Sequence, residues 1–89
     1  MSLNTNWVLQ IDPIIHKCLK KIPRHDVERL LVAVKDLATD PFAGDIQKMG
    51  GEAGVWRKRV GSYRIRYELI NEDKVVYVFR IERRTSSTY

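Results

Sequence analysis

The sequence predicts an α+β fold with the order β-α-α-β-β-β, an antiparallel meander sheet with a helical hairpin packed on one face. Between residues 14 and 39, apolar residues recur at the 3.6-residue spacing of an amphipathic helix. After residue 55 they alternate with polar residues at the period of 2 that marks a half-buried strand. At 89 residues, the chain is predicted to form one domain spanning 1–89.

The first half of the chain predicts one short strand and two helices. Residues 7–11 form the strand, and Asp12-Pro13 then supplies an N-cap followed by a proline at the first helical position. The first helix ends at Pro23. The second runs over residues 24–39 and ends before Asp40-Pro41, because the residue before a proline avoids the helical region.

The second half predicts three strands joined by tight turns. Residues 55–60 form the first strand, Gly61-Ser62 a two-residue turn, and residues 62–70 the next strand. Residues 71–73 form another turn before a β-branched and aromatic strand over residues 74–81. Consecutive strands with such short connections pair with one another, so they predict a meander.

The hairpin at Gly61-Ser62 is predicted to gather arginines on one face. Its register places Arg57 opposite Arg66 and Arg59 opposite Arg64, and alternate residues share a face. The other face receives an apolar set suited to the helices: Trp56, Val60, Tyr63, Ile65, Tyr67 and Leu69. Like charges directly opposite each other destabilise a sheet, so this arginine face favours an anionic ligand. A solvated face with its arginines spread apart is the alternative interpretation.

The position of Arg80 depends on the length of the preceding turn. A three-residue turn places Arg80 on the arginine face, whereas a two-residue turn places it on the opposite face, because a one-residue slip inverts a strand. Beyond it, Arg83 and Arg84 are expected to emerge from the last strand beside the arginine face, and Tyr89 follows within a short reach.

Composition indicates a globular protein with a polyanionic partner. Sixteen Lys+Arg against eleven Asp+Glu give a net charge of +5 and a pI near 9.6, which suits nucleic acid, an acidic protein or an anionic membrane. No apolar run has membrane-spanning length, no signal peptide is visible, and the single cysteine, Cys18, excludes an internal disulfide. These features predict a cytoplasmic location without membrane association.

Metal and cofactor sites are not predicted. His16 and Cys18 are two residues apart on a helix and point in different directions, and His25 lies beyond the helix break. The apolar helical position of Cys18 indicates a core residue rather than a nucleophile. Gly50-Gly51 lacks the Lys-Ser/Thr that follows in a phosphate-binding loop.

Residues 56–68 resemble the RelE-type pattern, in which an aromatic residue and basic residues are followed by VG-x-YR-x-x-Y. Their sequence is W-R-K-R-V-G-S-Y-R-I-R-Y-E. Residues 75–89 resemble the family's last strand, basic pair and following tyrosine, and the helix ends at Pro23 and Asp40-Pro41 also match. The chain therefore resembles toxins of the RelE/ParE superfamily from type II toxin–antitoxin systems, RelE-like in kind. The resemblance implies a ribosome-dependent, metal-independent mRNA endoribonuclease, with a cognate antitoxin and mRNA on the ribosome as partners.

The resemblance also implies roles by position. Arg64 matches the arginine that contacts the scissile phosphate, Arg83 the catalytic arginine, and Tyr89 the tyrosine that assists the attacking 2′-hydroxyl. Arg84 replaces Arg83 if the tail is shifted by one residue. The expected RNA-binding residues are Arg57, Arg59, Arg66, Arg84 and Lys48.

Two other functions remain open at this point. ParE-type relatives share the fold but inhibit DNA gyrase, and they generally lack the nuclease residues. A non-catalytic basic module that binds RNA or ribosomes would also carry this charge. The combination of Arg57, Arg59, Arg64, Arg83 and Tyr89 favours the nuclease.

Overall fold

The computed structural model describes residues 7–50 and 54–83. They form two helices and a five-stranded mixed sheet, which confirms the predicted α+β class. In chain order the elements are β1 (Val8–Ile11), α1 (Ile14–Lys20), α2 (Arg24–Thr39), β2 (Ile46–Lys48), β3 (Val55–Val60), β4 (Tyr63–Ile70) and β5 (Val75–Arg83).

The sheet has the strand order β1-β5-β4-β3-β2, and two of its features differ from the prediction. Strands β3 to β5 form the expected antiparallel meander, and β2, which was not predicted, extends it by one antiparallel strand. Strand β1 lies at the opposite edge and runs parallel to β5, with Val8 opposite Val75 and Ile11 opposite Val78. The sheet is therefore mixed, because the chain passes through both helices between β1 and the meander.

Both helices contribute to a core against one face of the sheet, the helix-covered face. The helices supply Ile15, Leu30, Ala33, Val34 and Leu37. The sheet supplies Tyr63, Ile65, Tyr67, Leu69, Val76, Val78 and Ile81, with Trp56 and Val60 packed against the cluster. Full burial of one such aliphatic side chain contributes roughly 1.5–3 kcal/mol. The predicted core face of the hairpin is confirmed, whereas Leu31, an apolar residue of α2, is exposed.

The two-residue loop at Gly61-Ser62 is also confirmed, since Val60 pairs directly with Tyr63. Gly61 has a φ of 58°, in the left-handed region that favours glycine. A Cβ atom at this position would lie 3.1 Å from Nη2 of Arg29 in α2. The backbone conformation therefore favours glycine here, while the Arg29 guanidinium is the end of a flexible side chain that could shift, and the loop fixes the register of the arginine pairs.

Lys58 lies on the helix-covered face, as the register of the hairpin requires. It pairs with Ile65 on one side and Ile46 on the other, and only 8% of its surface is exposed. The loop before β2 approaches it closely, because a Cβ at Gly44, whose φ is 90°, would lie 3.0 Å from Cε of Lys58. Its aliphatic stem thus fills space at the edge of the core.

Candidate nucleic-acid interface

The predicted arginine face is present on the side of the sheet that faces away from the helices. Arg57 pairs with Arg66, and Arg59 pairs with Arg64, across β3 and β4. Directly opposite residues in an antiparallel pair have Cβ atoms roughly 4.5–5.5 Å apart. Two like-charged pairs therefore stand side by side on two neighbouring strands.

Arg80 joins the arginine face through a β-bulge. It pairs with Arg66, while Val78 pairs with Tyr67, so Phe79 between them has no partner on β4. The connection between β4 and β5 has four residues, 71–74, and an even number alone would direct Arg80 toward the helices. The bulge inverts the alternation after Val78. The open question about Arg80 is thus settled by an irregularity within β5 rather than by the turn.

Some of these arginines have partners within the protein. Nε of Arg59 pairs with Oδ2 of Asp45 at 2.9 Å, and Nη2 of Arg57 donates to Oε1 of Gln47. The carboxylate of Glu82 lies between two arginines on the same face. These are Arg66, with Nε 3.2 Å from Oε1, and Arg80, with Nε 2.8 Å from Oε2.

The centre of the arginine face contains polar groups that lack acceptors. Within the described residues, the buried Nε–H groups of Arg57, Arg64 and Arg66 have no hydrogen-bond acceptor, and the Arg66–Glu82 contact has ion-pair distance without hydrogen-bond alignment. Among residues 7–50 and 54–83, Arg64 has no carboxylate oxygen within 4.0 Å. A buried donor without an acceptor costs about 1–3 kcal/mol. An anionic ligand that brought acceptor oxygens here would remove that cost.

Two predicted site residues lie elsewhere. Lys48 pairs with Trp56 and shares the parity of the helix-covered face, because the register of β2 places Gln47 opposite Arg57 instead. The expectation that Arg83 emerges from the last strand beside the arginine face is wrong. Strand β5 continues through Arg83, which pairs with Tyr63 and borders a cavity of about 270 Å³ next to α1.

Arg84 and Tyr89 lie outside the described residues. The other three tyrosines are inside them, and each has its pKa raised, so none is a ready proton acceptor. Burial raises the pKa of Tyr67 to about 12. Burial and a 3.1 Å hydrogen bond to Asp26 raise the pKa of Tyr63, and donation to Asp12 raises the pKa of Tyr77.

A search of the described residues for groups of three or more His, Cys, Asp and Glu in metal-binding arrangement finds none. Cys18 is half-buried rather than fully enclosed and lines two surface cavities beside β5. Neither α1 nor α2 is long and apolar enough to cross a membrane.

The fold and the basic face together define a small toxin of the RelE/ParE type. The chain belongs to the family described as the ParE toxin of the type II toxin–antitoxin system, parDE, whose model matches residues 11–87. A curated relative, the toxin RelE1 of Methanocaldococcus jannaschii, is 27% identical over 79 residues, which cover 85% of this chain and 88% of that protein.

Solved RelE structures share the fold. The archaeal RelE–RelB complex from Pyrococcus horikoshii matches with a TM-score of 0.81 and 24% identity, covering 92% of this chain and 99% of the matched chain. The isolated RelE toxin of E. coli matches with a TM-score of 0.76 and 22% identity, covering 91% of this chain and 87% of that one. The helices and mixed sheet described above are thus those of RelE toxins.

Proposed function

We propose that this toxin is a ribosome-dependent mRNA endoribonuclease in which the arginine face binds the scissile phosphate. The observation that carries the proposal is the set of buried Nε–H groups on Arg57, Arg64 and Arg66 that have no hydrogen-bond acceptor among the described residues. A folding role would require these donors to be paired within the protein. A phosphate offers several acceptor oxygens to guanidinium groups, which bind it in a bidentate manner.

The proposed reaction needs no group beyond the RNA and the protein. The 2′-hydroxyl oxygen attacks the adjacent phosphorus and loses its proton, and the bond from phosphorus to the 5′-oxygen breaks. A cyclic phosphate forms, and the leaving oxygen takes up a proton. Arginine stays charged at neutral pH, so Arg64 stabilises the more negative phosphorane rather than transferring protons. Arg57, Arg59 and Arg66 add to the positive field around it.

The base in this scheme is proposed to be Tyr89, by its position in the family pattern. The raised pKa values of Tyr63, Tyr67 and Tyr77 argue against a described tyrosine in that role. Cations placed beside a tyrosine favour its ionised form, which is the form a base requires. For the second catalytic arginine, Arg83 and Arg84 are both candidates from the family pattern, and the pairing of Arg83 with Tyr63, on the face opposite Arg64, favours Arg84. Single alanine variants of the two, compared for toxicity, distinguish them.

A cognate antitoxin is the proposed protein partner. The matched structures from P. horikoshii and M. tuberculosis are RelE–RelB and RelBE2 toxin–antitoxin complexes. Acidic groups of an antitoxin would supply acceptors to the arginine face and relieve the repulsion between its paired arginines. We expect the cognate antitoxin to raise the melting temperature of this toxin. An unchanged melting temperature in a demonstrated complex would mean that the antitoxin binds elsewhere.

The test of the proposed activity is induction of the toxin in cells, followed by mapping of mRNA 5′ ends. New ends within translated regions are expected soon after induction, and they should be absent on induction of Arg64→Ala. Growth arrest without new mRNA ends would overturn the nuclease proposal.

Inhibition of DNA gyrase is the second candidate function, because the matching family model is described as that of ParE toxins. Supercoiling by purified gyrase, measured with and without the toxin, separates the two functions. Loss of supercoiling together with intact mRNA would favour the gyrase target.

A further inference from the structure

An aromatic pair adjoins the arginine face on β5. The rings of Tyr77 and Phe79 stack with a centroid separation of 6.0 Å and an interplanar angle of 30°. Tyr77 faces away from the helices, because Val76 and Val78 on either side of it point into the core and are fully buried. Phe79 is the unpaired residue of the bulge that brings Arg80 onto the arginine face.

A cavity of about 370 Å³ opens beside this pair, at the edge of the sheet. It forms where β1 has ended at Ile11 and α1 takes its place beside β5. Its lining combines apolar residues with two charged ones: Ile14, Cys18, Phe79, Arg80, Ile81 and Glu82. The volume falls within the range of sites for small organic groups, roughly 300–1,000 Å³.

The cavity and the arginine face are continuous, because they share two residues. Arg80 pairs with Arg66 on the face and also lines the cavity. Glu82 lines the cavity while its carboxylate contacts both of these arginines. A ligand that spans both places therefore needs a phosphate next to a flat, partly polar group.

We infer that this cavity is a base-binding subsite for the nucleotide next to the phosphate on the arginine face. The inference rests on the proposed RNA substrate and specifies how that RNA is held. The base would stack on Phe79, while its exocyclic amino group would donate to Glu82. An ionised carboxylate has about four acceptor positions, so its contacts with Arg66 and Arg80 leave capacity for a base.

A double-mutant cycle of RNA-binding affinities tests this subsite independently of cleavage. The probe is a short 2′-O-methyl RNA, which cannot be cut by its own hydroxyl, together with versions that carry one abasic nucleotide at successive positions. Affinities of the full toxin and of Phe79→Ala are measured for each RNA. At one position, we expect removal of the base to weaken binding to the parent toxin by roughly 5- to 150-fold more than it weakens binding to Phe79→Ala. This ratio, the coupling, corresponds to the free energy of one base–aromatic stack.

Two further variants serve as controls. Phe79→Leu keeps an apolar side chain but removes the ring, so it should lose the coupling while it preserves folding. Phe42→Ala removes an exposed phenylalanine that contacts Trp56 at a ring distance of 5.5 Å, away from the arginine face. It should retain the full coupling between Phe79 and the base.

Coupling below about twofold at every position would mean that the effects of the base and of Phe79 on affinity are additive. That result would overturn the subsite. Reduced affinity of Phe79→Ala for the antitoxin in the absence of RNA coupling would assign the cavity to a protein ligand, and would also overturn it. Failure of the proposed function gives a different result. A toxin that cuts no mRNA on ribosomes but still shows the coupling between the base and Phe79 would contradict the nuclease proposal and support the base-binding subsite.

Discussion

On the helix-covered face, the sheet is buried and the hydroxyls of Tyr63 and Tyr67 are hydrogen-bonded. Ile65, Tyr67, Val76 and Val78 have no exposed surface, and the hydroxyl of Tyr67 donates to the carbonyl of Pro41 at 2.7 Å. On the arginine face of the same strands, arginines oppose one another in pairs, and three buried Nε–H groups have no hydrogen-bond acceptor in the part of the chain that the structure describes.

The difference indicates which face folding requires and which face we propose to bind a ligand. The helix-covered face buries its apolar side chains and pairs its tyrosine hydroxyls, so substitutions there should reduce stability. The arginine face has positive charge that the protein only partly neutralises, through Asp45 and Glu82. Substitutions there should reduce activity and leave the fold intact.

The largest effect is expected from Tyr89→Phe. If Tyr89 is the base, the cleavage rate should fall by roughly two to four orders of magnitude, the range for a positioned acid–base group. Ribosome affinity should stay nearly unchanged, because the arginines make the phosphate contacts. Single-turnover cleavage on programmed ribosomes measures both quantities. A rate within a few-fold of the parent would remove Tyr89 from this role.

Next in size is Arg64→Ala, which should reduce cleavage by roughly 10²–10³-fold, the effect of removing one group that stabilises developing charge. Toxicity should be lost while the melting temperature stays close to that of the parent. Arg24→Ala is the matched control, because Arg24 is exposed at the start of α2, away from the arginine face. A folded Arg64→Ala toxin with full toxicity would contradict the site assignment.

On the helix-covered face, Tyr67→Phe should reverse this pattern. Loss of its hydroxyl leaves the buried carbonyl of Pro41 without its donor, so the free energy of unfolding should fall by about 1–3 kcal/mol. Cleavage by the remaining folded protein should be unchanged. Denaturant unfolding and the ribosome assay measure the two effects, and an activity loss larger than the loss of folded protein would break the separation of the faces.

Alkaline pH provides a related test at the same residue. The pKa of Tyr67 rises from 10.0 to about 12 on burial, so folding favours its neutral form. That contribution is fully present below pH 10 and is lost as the pH rises toward 12, up to about 2–3 kcal/mol. The Tyr67→Phe protein should lose less stability over this interval. Equal alkaline losses in the two proteins would contradict the assignment.

The smallest effect on stability is expected from Arg57→Gln. It removes one member of the opposed Arg57–Arg66 pair, so stability should rise by a few tenths of a kcal/mol. RNA affinity should fall, and the slope of log affinity against log salt concentration should decrease in magnitude by about one, because one phosphate contact is lost. A stability loss above about 1 kcal/mol would show that the arginine face is needed for folding.

The central part of the arginine face was predictable from the sequence for a physical reason. Gly61-Ser62 fixes a two-residue loop, and the strict alternation of strands then determines which residues oppose one another. This local pattern placed Arg57, Arg59, Arg64 and Arg66 correctly. The boundaries of α2 and β3 also matched, because Asp40-Pro41 and the hairpin loop mark their ends.

Features that depend on distant contacts were not predictable. Strand β2 has three residues and no alternating pattern, so the parity of Lys48 became visible only through its pairing with Trp56. The bulge at Phe79 has no mark in the sequence, yet it determines the side to which Arg80 points. The parallel position of β1 depends on pairing across more than sixty residues of chain, which local periodicity does not report.

The most direct test of the central claim is single-turnover cleavage on ribosomes programmed with a short mRNA, with and without one 2′-deoxynucleotide at the cut site. The account predicts that the purified toxin cuts the all-ribose mRNA, that the single 2′-deoxy substitution prevents the cut, and that Arg64→Ala slows it by roughly 10²–10³-fold. Cleavage that persists at the 2′-deoxy position, or an uncut all-ribose mRNA at saturating toxin, would contradict the account.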